Sequence, residues 1–494
     1  MQGIVYTPEW IVNLILDSIG YKPDLEHCRI IDPSCGTGNF LSSILERLLT
    51  HLEKRNYSKN EIEEIVADQI YGIDTDRSAL EICKKNLNNI LLNHHLDGAV
   101  ELHLYNRNAL DTSQNKKLFK KFKFVVGNPP YVRVQNMNPD LRKSIQENYS
   151  FCSSGSSDIY IAFFQMGLEL LGKEGILAFI TPNTFLYSKS AKAFRSYLHQ
   201  NKLIRTLINF NERQLFERIT TYSAITILSK DPSREYFSYC DYKDGLKTVE
   251  DIPYKSLRSD KWVLGSLEVL NKIDQIENRG KKLGEIAKIH AGIATLADDL
   301  YITNLIEFNQ DTVIVRLRNG DKVELERRIL KPIVKVSTLK YPNQDQNLLI
   351  IFPYKSLNGK FVPYEEDEMK SLFPLTYDYF KSIKRKLVAR DRGNNIIPWY
   401  AFGRNQGLNT SFGKKILVSP VSKSPRFILW EKPEYTFYSG YCIKYDGNLA
   451  SLIKQLNSED MRFYVEKISR IYKGGYRSYA KSFIENYGVD ISNL

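Results

Sequence analysis

Short runs of apolar, β-branched residues alternate with longer stretches of helical periodicity through the first half of the chain. A short apolar run bounded by turn residues is typical of a strand buried on both faces, and the longer stretches are typical of helices packed on a sheet. The predicted strands are 30–32, 70–73, 100–104, 124–126, 175–180, 203–210 and 222–229. Their alternation with helices predicts a doubly wound α/β fold of seven strands, with the last two antiparallel.

Helix-start signals agree with this alternation. Thr7 is followed by Pro8 and Glu9, which predicts a helix with Thr7 as its N-cap and Pro8 at its first position. Asp76 is predicted to cap a helix that begins at Arg77. Further helices are predicted at 39–53, 60–67 and 158–171.

A turn rich in hydrogen-bond acceptors follows the fourth strand, in the sequence Asn128-Pro129-Pro130-Tyr131. Ligands of open α/β sheets bind at the carboxyl ends of the strands, where this turn lies. Proline lacks an N–H and fixes φ, so Asn128 Oδ1 and the Pro129 carbonyl form a rigid pair of acceptors beside the Tyr131 ring. This array suits an aromatic amine: the two acceptors hold its N–H groups, which leaves the nitrogen lone pair nucleophilic. Alternatively, Asn-Pro only begins a turn.

A glycine-containing loop follows the first strand, in the sequence DPSCGTGNFL at 32–41. Gly36 and Gly38 allow a tight turn and close approach of a ligand, and the next helix offers free N–H groups, so a nucleotide-like ligand is predicted. Leu41 replaces the third glycine of the dinucleotide fingerprint. The Asp32 carboxylate is placed to meet a cation such as an amino group. Asp74, at the end of the second strand, is placed to accept two ribose hydroxyls.

The order of these motifs resembles that of the Taq-type, or gamma-class, N6-adenine DNA methyltransferases, which use S-adenosyl-L-methionine. The resemblance rests on YTPEWIV at 6–12, DPSCGTGNF at 32–40 and NPPY at 128–131. It implies the seven-stranded Rossmann-like fold of S-adenosyl-L-methionine-dependent methyltransferases, followed by a C-terminal α+β DNA-recognition domain similar to that of TaqI. We therefore expect a catalytic domain at 1–235, a linker at 236–280 and a DNA target-recognition domain at 281–494.

The same resemblance implies roles for residues around the motifs. Thr7 would close over the methionine end of the cofactor. Asn108 stands where relatives often carry an acid that contacts the cofactor adenine, with Asp111 as the alternative. Either Phe216 or Tyr222 would stack on the target base opposite Tyr131, with Phe216 the better match. The expected catalytic residues are Asn128, Pro129, Tyr131 and Phe216, and the expected cofactor-binding residues are Thr7, Asp32, Cys35, Gly36, Gly38, Phe40, Asp74 and Asn108.

Asp158 is open to two interpretations from the sequence. It precedes the helix 158–171, so it is either the N-cap of that helix or an acid near the cofactor adenine, as the resemblance implies.

Positive charge is concentrated in the second half of the chain. The 494 residues carry a formal net charge of +12, and residues 381–430 hold 11 Lys and Arg against one Asp. Such a balance predicts an anionic partner, and duplex DNA fits best, although a solvated basic face gives the same count. Cations bind phosphates and aromatic rings stack on bases. The predicted DNA-binding residues are Arg385, Arg390, Arg392, Trp399, Tyr400 and Arg404, with a buried Trp399 as the alternative.

Other features narrow the class of protein. The six cysteines form no CxxC pair and only His290 of the seven histidines lies beyond residue 200, so no metal site is expected. No apolar run approaches about 18 residues, so no membrane span is expected and a cytoplasmic protein is predicted. Glu368 and Lys370 form the bare E-x-K of a nuclease, but they lie in an acidic, helix-like run without a preceding partner aspartate in the expected context. Any restriction endonuclease is therefore expected on a separate chain.

These observations predict a site-specific N6-adenine DNA methyltransferase that acts on a flipped-out base in restriction-modification or defence. Two alternatives stay open. One is a protein glutamine methyltransferase, because release-factor-modifying enzymes also carry NPPY. The other is a non-catalytic DNA-binding module that keeps the methyltransferase fold.

Overall fold

The chain forms two compact units, Met1–Leu270 (unit 1) and Asn271–Leu494 (unit 2). The structure is a computed structural model, which describes residues 6–21, 28–96, 100–153, 157–211, 213–216, 222–231, 233–243, 246–258, 261–318, 320–390 and 398–493.

Unit 1 is built on one large mixed sheet. Its strands are β1 (Ile30–Asp32), β2 (Ile70–Asp74), β3 (His103–Asn106), β4 (Phe122–Gly127), β5 (Leu171–Pro182), β6 (Ile204–Asn209), β7 (Ser223–Ser229), β8 (Tyr236–Lys243) and β9 (Leu246–Pro253). Their order in the sheet is β3-β2-β1-β4-β5-β7-β6-β8-β9. Strands β3, β2, β1, β4 and β5 pair in parallel, and β7 is antiparallel to β5 and β6. From β1 the chain adds β2 and β3 on one side, and then returns to add β4 and β5 on the other side of β1. The loops that follow β1 and β4 therefore leave the sheet side by side.

Helices cover both faces of this sheet. They are α1 (Glu9–Ser18), α2 (Asn39–Lys54), α3 (Lys59–Gln69), α4 (Arg77–Asn93), α5 (Thr112–Asn115), α6 (Pro139–Asn148), α7 (Ile159–Leu170) and α8 (Lys192–Gln200). The next helix in the chain, α9 (Leu267–Glu277), includes the residues at which the two units divide. One buried cluster joins α1, α2 and α4 to the sheet, and a second is centred on α7. Most of α7 is buried, as its apolar sequence requires.

The sheet has nine strands rather than the predicted seven. The two additional strands come from residues 236–253, the segment expected to be a linker, and β8 pairs in parallel with β6. In β8, Phe237 and Tyr239 are buried, whereas Tyr236 and Ser238 are more exposed. The face of this strand that carries Phe237 and Tyr239 therefore packs on the core. β3 begins at His103 rather than residue 100, because its register pairs His103 with Tyr71.

Unit 2 combines antiparallel sheets with short helices. Its strands are β10 (Lys281–Lys282), β11 (Lys288–Ala291), β12 (Ile302–Phe308), β13 (Thr312–Arg316), β14 (Lys322–Glu326), β15 (Leu330–Lys335), β16 (Leu348–Ile351), β17 (Tyr354–Leu357), β18 (Lys360–Pro363), β19 (Lys415–Val418), β20 (Val421–Ser422), β21 (Phe427–Trp430), β22 (Thr436–Tyr438), β23 (Tyr441–Lys444), β24 (Ile471–Tyr472), β25 (Tyr476–Ser478) and β26 (Gly488–Val489). Its helices are α10 (Leu283–Ile286), α11 (Asp298–Tyr301), α12 (Glu366–Leu372), α13 (Pro374–Ser382), α14 (Lys384–Val388), α15 (Leu449–Leu456), α16 (Glu459–Ile468) and α17 (Lys481–Ile484). The two larger sheets have the orders β14-β13-β12-β16-β15-β22 and β11-β23-β19-β21.

Within the described ranges, no helix has both the length and the apolar character needed to cross a lipid bilayer.

Candidate active site

The loop after β1 and the NPPY turn after β4 are in direct contact. Gly127 ends β4 with φ +154°, and a Cβ atom at this position would lie 2.5 Å from Asp32 Oδ1. Ser34 Oγ donates to the Asn128 carbonyl at 3.3 Å. Glycine is therefore required at 127, because any side chain would separate the two loops.

The Asn128 amide is held from both ends. Its Nδ2 donates to Thr7 Oγ1 at 3.1 Å, and its Oδ1 accepts the Tyr131 hydroxyl at 2.5 Å. Tyr131 also lies 3.3 Å from the Ile180 carbonyl. An amide oxygen has two lone pairs, so Asn128 Oδ1 keeps one for a ligand. The amide is thus fixed in orientation before any substrate arrives.

Thr7 joins the N-terminal segment to this network. Its carbonyl accepts from Asn39 Nδ2 at 3.1 Å, at the start of α2. The predicted capping role of Thr7 is wrong: Pro8 occupies the N-cap position of α1, without a side-chain capping bond. The Thr7 hydroxyl is buried and accepts from Asn128 instead. Sequence reasoning missed Asn39 and Ser34, although both are polar residues of the glycine loop.

Asp32 is a buried carboxylate, with only 2% of its surface exposed. Its Oδ1 accepts the Ser34 N–H at 2.9 Å, and no Lys, Arg or His of the described chain pairs with it. Burial raises the pKa of Asp32 to about 7; the Ser34 hydrogen bond opposes this rise and the charge of Asp74 adds to it. A cation bound beside Asp32 would offset the cost of ionising it, so the carboxylate is suited to an ammonium group.

The glycine loop is shaped by Asp74. The Asp74 carboxylate accepts the N–H groups of Gly36 at 2.8 Å and of Asp76 at 2.9 Å. A Cβ atom on Gly38, which has φ +91°, would lie 2.6 Å from Cys83 Sγ. Asp74 is half-buried and keeps lone pairs that a ribose can use. The predicted cap of α4 is confirmed, since Asp76 accepts from the Ser78 and Ala79 N–H groups.

Two of the expected cofactor residues turn their side chains into the core. Cys35 is 5% exposed and Phe40 is 3% exposed, and both belong to the cluster that includes α1 and α2. The hydrogen bond to Cys83 and burial both raise the pKa of the Cys35 thiol. The Cys35 N–H donates to the Ile73 carbonyl, and its own carbonyl accepts from Gly38. Both side chains therefore support the loop from below rather than facing a ligand.

Phe216 lies next to Tyr131, as expected, but the two rings do not enclose a slot. Their centroids are 6.5 Å apart and their planes meet at 61°, edge to face. Phe216 is 4% exposed, and Tyr222 is also buried. Burial raises the pKa of Tyr131, so its hydroxyl stays protonated. That Phe216 or Tyr222 stacks on a base opposite Tyr131 stays a prediction.

The remaining acids and amides near this edge have distinct roles. Asn108 is half-buried, and its Oδ1 accepts the Leu110 N–H at 3.0 Å. Asp111 caps α5 through the Ser113 and Gln114 N–H groups. Asp158 occupies the N-cap position of α7, although its side chain makes no capping hydrogen bond. Burial raises the pKa of Asp158, and the charge of Arg133 partly offsets this.

The predicted DNA-binding residues of unit 2 fall into two groups. Arg385 and Arg404 are exposed. Tyr400 is fully buried, with its hydroxyl donating to the Tyr364 carbonyl at 2.6 Å, and half-buried Trp399 packs against it. Tyr400 is therefore a core residue, because its aromatic ring and its hydroxyl are both satisfied inside the unit. Arg392 lies outside the described residues.

Arg390 is likewise structural rather than DNA-facing. It is 6% exposed and donates to the carbonyls of Leu387, Thr295, Trp399 and Ala401 at 2.8–2.9 Å. Its positive charge is thus surrounded by carbonyl oxygens. The E-x-K pair also has a structural role, since Glu368 forms an ion pair with Lys355 and bonds the Glu365 N–H. In the described part of the chain, no three His, Cys, Asp or Glu side chains converge on a metal position.

The chain is similar to restriction-modification proteins. Residues 68–216 match the Eco57I restriction-modification methylase family. The chain is 25% identical to the Type II restriction enzyme and methyltransferase RM.Eco57I of Escherichia coli, over 86% of this chain and 50% of that protein. It is 28% identical to the Type II methyltransferase M.BstVI of Geobacillus stearothermophilus, over 69% of this chain and 64% of that protein. The chain thus spans one half to two thirds of these relatives.

Solved structures share the fold at low identity. The Type IIL restriction-modification enzyme MmeI, solved in complex with DNA, superposes with a TM-score of 0.63 at 14% identity, covering 97% of this chain and 65% of MmeI. The DrdV–DNA complex gives a TM-score of 0.52 at 15% identity, covering 89% of this chain and 49% of that one.

Proposed function

We propose that this protein is a site-specific DNA N6-adenine methyltransferase that uses S-adenosyl-L-methionine and acts on an adenine flipped out of duplex DNA. The observation that carries the proposal is the Asn128 amide, fixed between Thr7 and Tyr131 and joined through Ser34 to the glycine loop. The similarity to Type II methyltransferases supports a DNA substrate.

The residues around the glycine loop fit this cofactor. Asp32 is a buried carboxylate without a cationic partner, and it would hold the amino group of the methionine moiety. Asp74 would accept the ribose hydroxyls, and half-buried Asn108 would face the adenine. Thr7 would line the methionine end. When bound, the cofactor supplies a methyl group attached to a sulfonium.

The NPPY residues prepare the amine of the target base. Asn128 Oδ1 and the Pro129 carbonyl would each accept one N–H, and the Tyr131 ring would stack on the base. Because Tyr131 and Thr7 fix the Asn128 amide beforehand, the amine is oriented without a reorganisation cost at the moment of reaction. The neutral phenol of Tyr131 does not remove a proton, so the proton would leave the amine after the methyl group has been transferred.

Unit 2 would supply DNA binding and sequence choice. The excess of Lys and Arg in 381–430, and the exposure of Arg385 and Arg404, support contact with phosphates. We further propose that the protein acts in the cytoplasm as the modification component of a restriction-modification or defence system, with any endonuclease on a separate chain.

Asn128→Ala tests the proposal. Tritiated methyl incorporation into duplex DNA should be lost, while S-adenosyl-L-methionine binding measured by calorimetry persists. Asn148→Ala is the matched control, since among the described residues the Asn148 amide bonds only to Ser144, within its own turn of α6. An Asn128→Ala variant that still methylates DNA would refute the assignment. Label appearing in protein instead of DNA would favour the glutamine methyltransferase.

A further inference from the structure

A recess in unit 2 is lined by three residues that carry side-chain amides. It has a volume of about 320 Å³ and lies between the strand end at His290 and the loop 405–410. Asn405, Gln406 and Asn409 supply the amides, and Thr410 lines the recess with them. We call this site the amide recess. No acidic side chain lines it among the described residues.

The loop that carries the amides is held firmly by its neighbours. The Gly403 N–H donates to the Thr295 carbonyl at 3.0 Å, and the Arg404 N–H donates to the Ala294 carbonyl at 3.2 Å. Gly407 has φ +78°, and a Cβ atom there would lie 2.6 Å from the Gly292 carbonyl carbon. The backbone of this loop is therefore held in place, and the Cα positions of the residues that line the recess are fixed.

Within the described chain, only one of the three amides has both its carbonyl oxygen and its NH2 group without a hydrogen-bond partner. Gln406 Nε2 donates to the Gly292 carbonyl at 3.1 Å, and Asn409 Oδ1 accepts the Phe361 N–H at 2.7 Å. Asn405 is exposed, and no hydrogen bond joins its side chain to the rest of the described chain. Its carbonyl and its NH2 group are thus both available, side by side, to an external partner.

The surroundings favour an anionic partner. Lys288, Lys444 and Lys481 lie close enough to His290 that their charges, after burial, lower its pKa. Arg404, next to Asn405, is exposed. Asp298 and Asp299 line a separate recess together with Leu296 and Arg318. A paired donor and acceptor within a positive surface matches a base edge between phosphates.

An exposed leucine stands beside the same loop. Leu296 is 45% exposed and has φ +58°, a conformation that leucine rarely adopts. Gly403 leaves room for it, since a Cβ atom there would lie 2.5 Å from Leu296 Cγ. An apolar side chain held in this way suits contact with a thymine methyl group or a base step.

We propose that Asn405 reads an adenine in the major groove of the recognition sequence, with Arg404 on the adjacent phosphate. The asparagine NH2 group donates to adenine N7, and its Oδ1 accepts from the adenine N6 amino group. No other base offers that pair of groups in the major groove. The inference rests on the proposed function, because it assumes that unit 2 binds duplex DNA.

Selection from a randomised duplex library, followed by sequencing, tests this role separately from catalysis. The natural chain should enrich a motif that contains an adenine. At that position, the preference of Asn405→Ala for adenine over the other bases should be at least fivefold weaker than that of the natural chain. Asn405→Asp should shift that position toward cytosine, whose N4 amino group donates to a carboxylate. Asn304→Ala, at an exposed asparagine of β12, is the control and should keep the motif.

The outcomes separate the two proposals. Asn128→Ala should enrich the same motif as the natural chain while methylating nothing. The natural chain could fail to methylate DNA while Asn405→Asp still shifts the enriched motif. That result would refute the proposed function but support the role of Asn405. An unchanged motif in both folded Asn405 variants, or no enriched motif for the natural chain, would overturn that role.

Discussion

Replacing Asp32 with asparagine should make the unliganded protein more stable than the natural chain at alkaline pH. The carboxylate is 2% exposed and bonds the Ser34 N–H, a bond that asparagine can keep through its Oδ1. Asparagine has almost the same volume but never carries the charge. The substitution therefore isolates the cost of ionising a buried acid.

The magnitude follows from the pKa. Folding raises the pKa of Asp32 from 3.8 to about 7, chiefly through burial. Because the folded value is the higher one, the stabilisation is complete at a pH below the unfolded pKa and is lost as the pH rises through the folded pKa. At about 1.4 kcal/mol per pKa unit the whole loss is on the order of 4 kcal/mol, of which about 2.5 kcal/mol falls between pH 5 and 8.

Scanning calorimetry at pH 5, 6, 7 and 8 measures this difference. For a domain of this size, about 2.5 kcal/mol corresponds to roughly 5–10 °C in Tm. The Tm of the natural chain should fall relative to Asp32→Asn over this range. Asp111→Asn is the control: hydrogen bonds lower the pKa of this acid, so its ionisation should contribute no pH trend above pH 5. A Tm difference between Asp32→Asn and the natural chain that stays constant with pH would refute the burial argument.

Three further predictions concern single side chains. Gly127→Ala should lower the Tm of unit 1 by an amount equivalent to about 1–3 kcal/mol, because the new Cβ atom would meet Asp32 Oδ1 at 2.5 Å; an unchanged Tm would contradict the close packing. Tyr131→Phe should slow methyl transfer about fivefold while cofactor binding persists, since one hydrogen bond of about 1 kcal/mol to Asn128 is lost; an unaltered rate would show that the hydroxyl does not orient the amide. Arg390→Lys should lower the free energy of unfolding of unit 2 by about 3 kcal/mol, because a lysine cannot reach the four carbonyls. Arg385→Lys, at an exposed position, should lower it by almost nothing. Equal Tm values for the two variants would contradict this prediction.

The buried parallel strands were predictable from sequence. β1, β2 and β4 are short apolar runs next to turn residues, and their carboxyl ends bring Asp32, Asp74 and Asn128 to one edge of the sheet. β8 and β9 were not predicted, because the many polar and charged residues of 231–253 mask their short strand-like alternation. Local composition does not reveal which strand such a segment will join.

Long-range contacts account for the errors at single residues. The Thr-Pro-Glu pattern of α1 predicts a capping threonine, but Asn128, which is 121 residues away, takes the Thr7 hydroxyl. Arg390 and Tyr400 carry the same charge and ring as a DNA-binding residue. Their burial depends on carbonyl groups that the fold brings to them, and sequence alone does not show these groups.

The Arg390 contacts also set an order of events during synthesis of the chain. The Arg390 guanidinium, which donates to the Thr295 carbonyl, lies 95 residues further along the chain. The segment around Thr295 leaves the ribosome first and cannot form this hydrogen bond until Arg390 has followed it. A ribosome that pauses within this interval would hold an unfastened segment outside the exit tunnel, where proteases and chaperones can reach it.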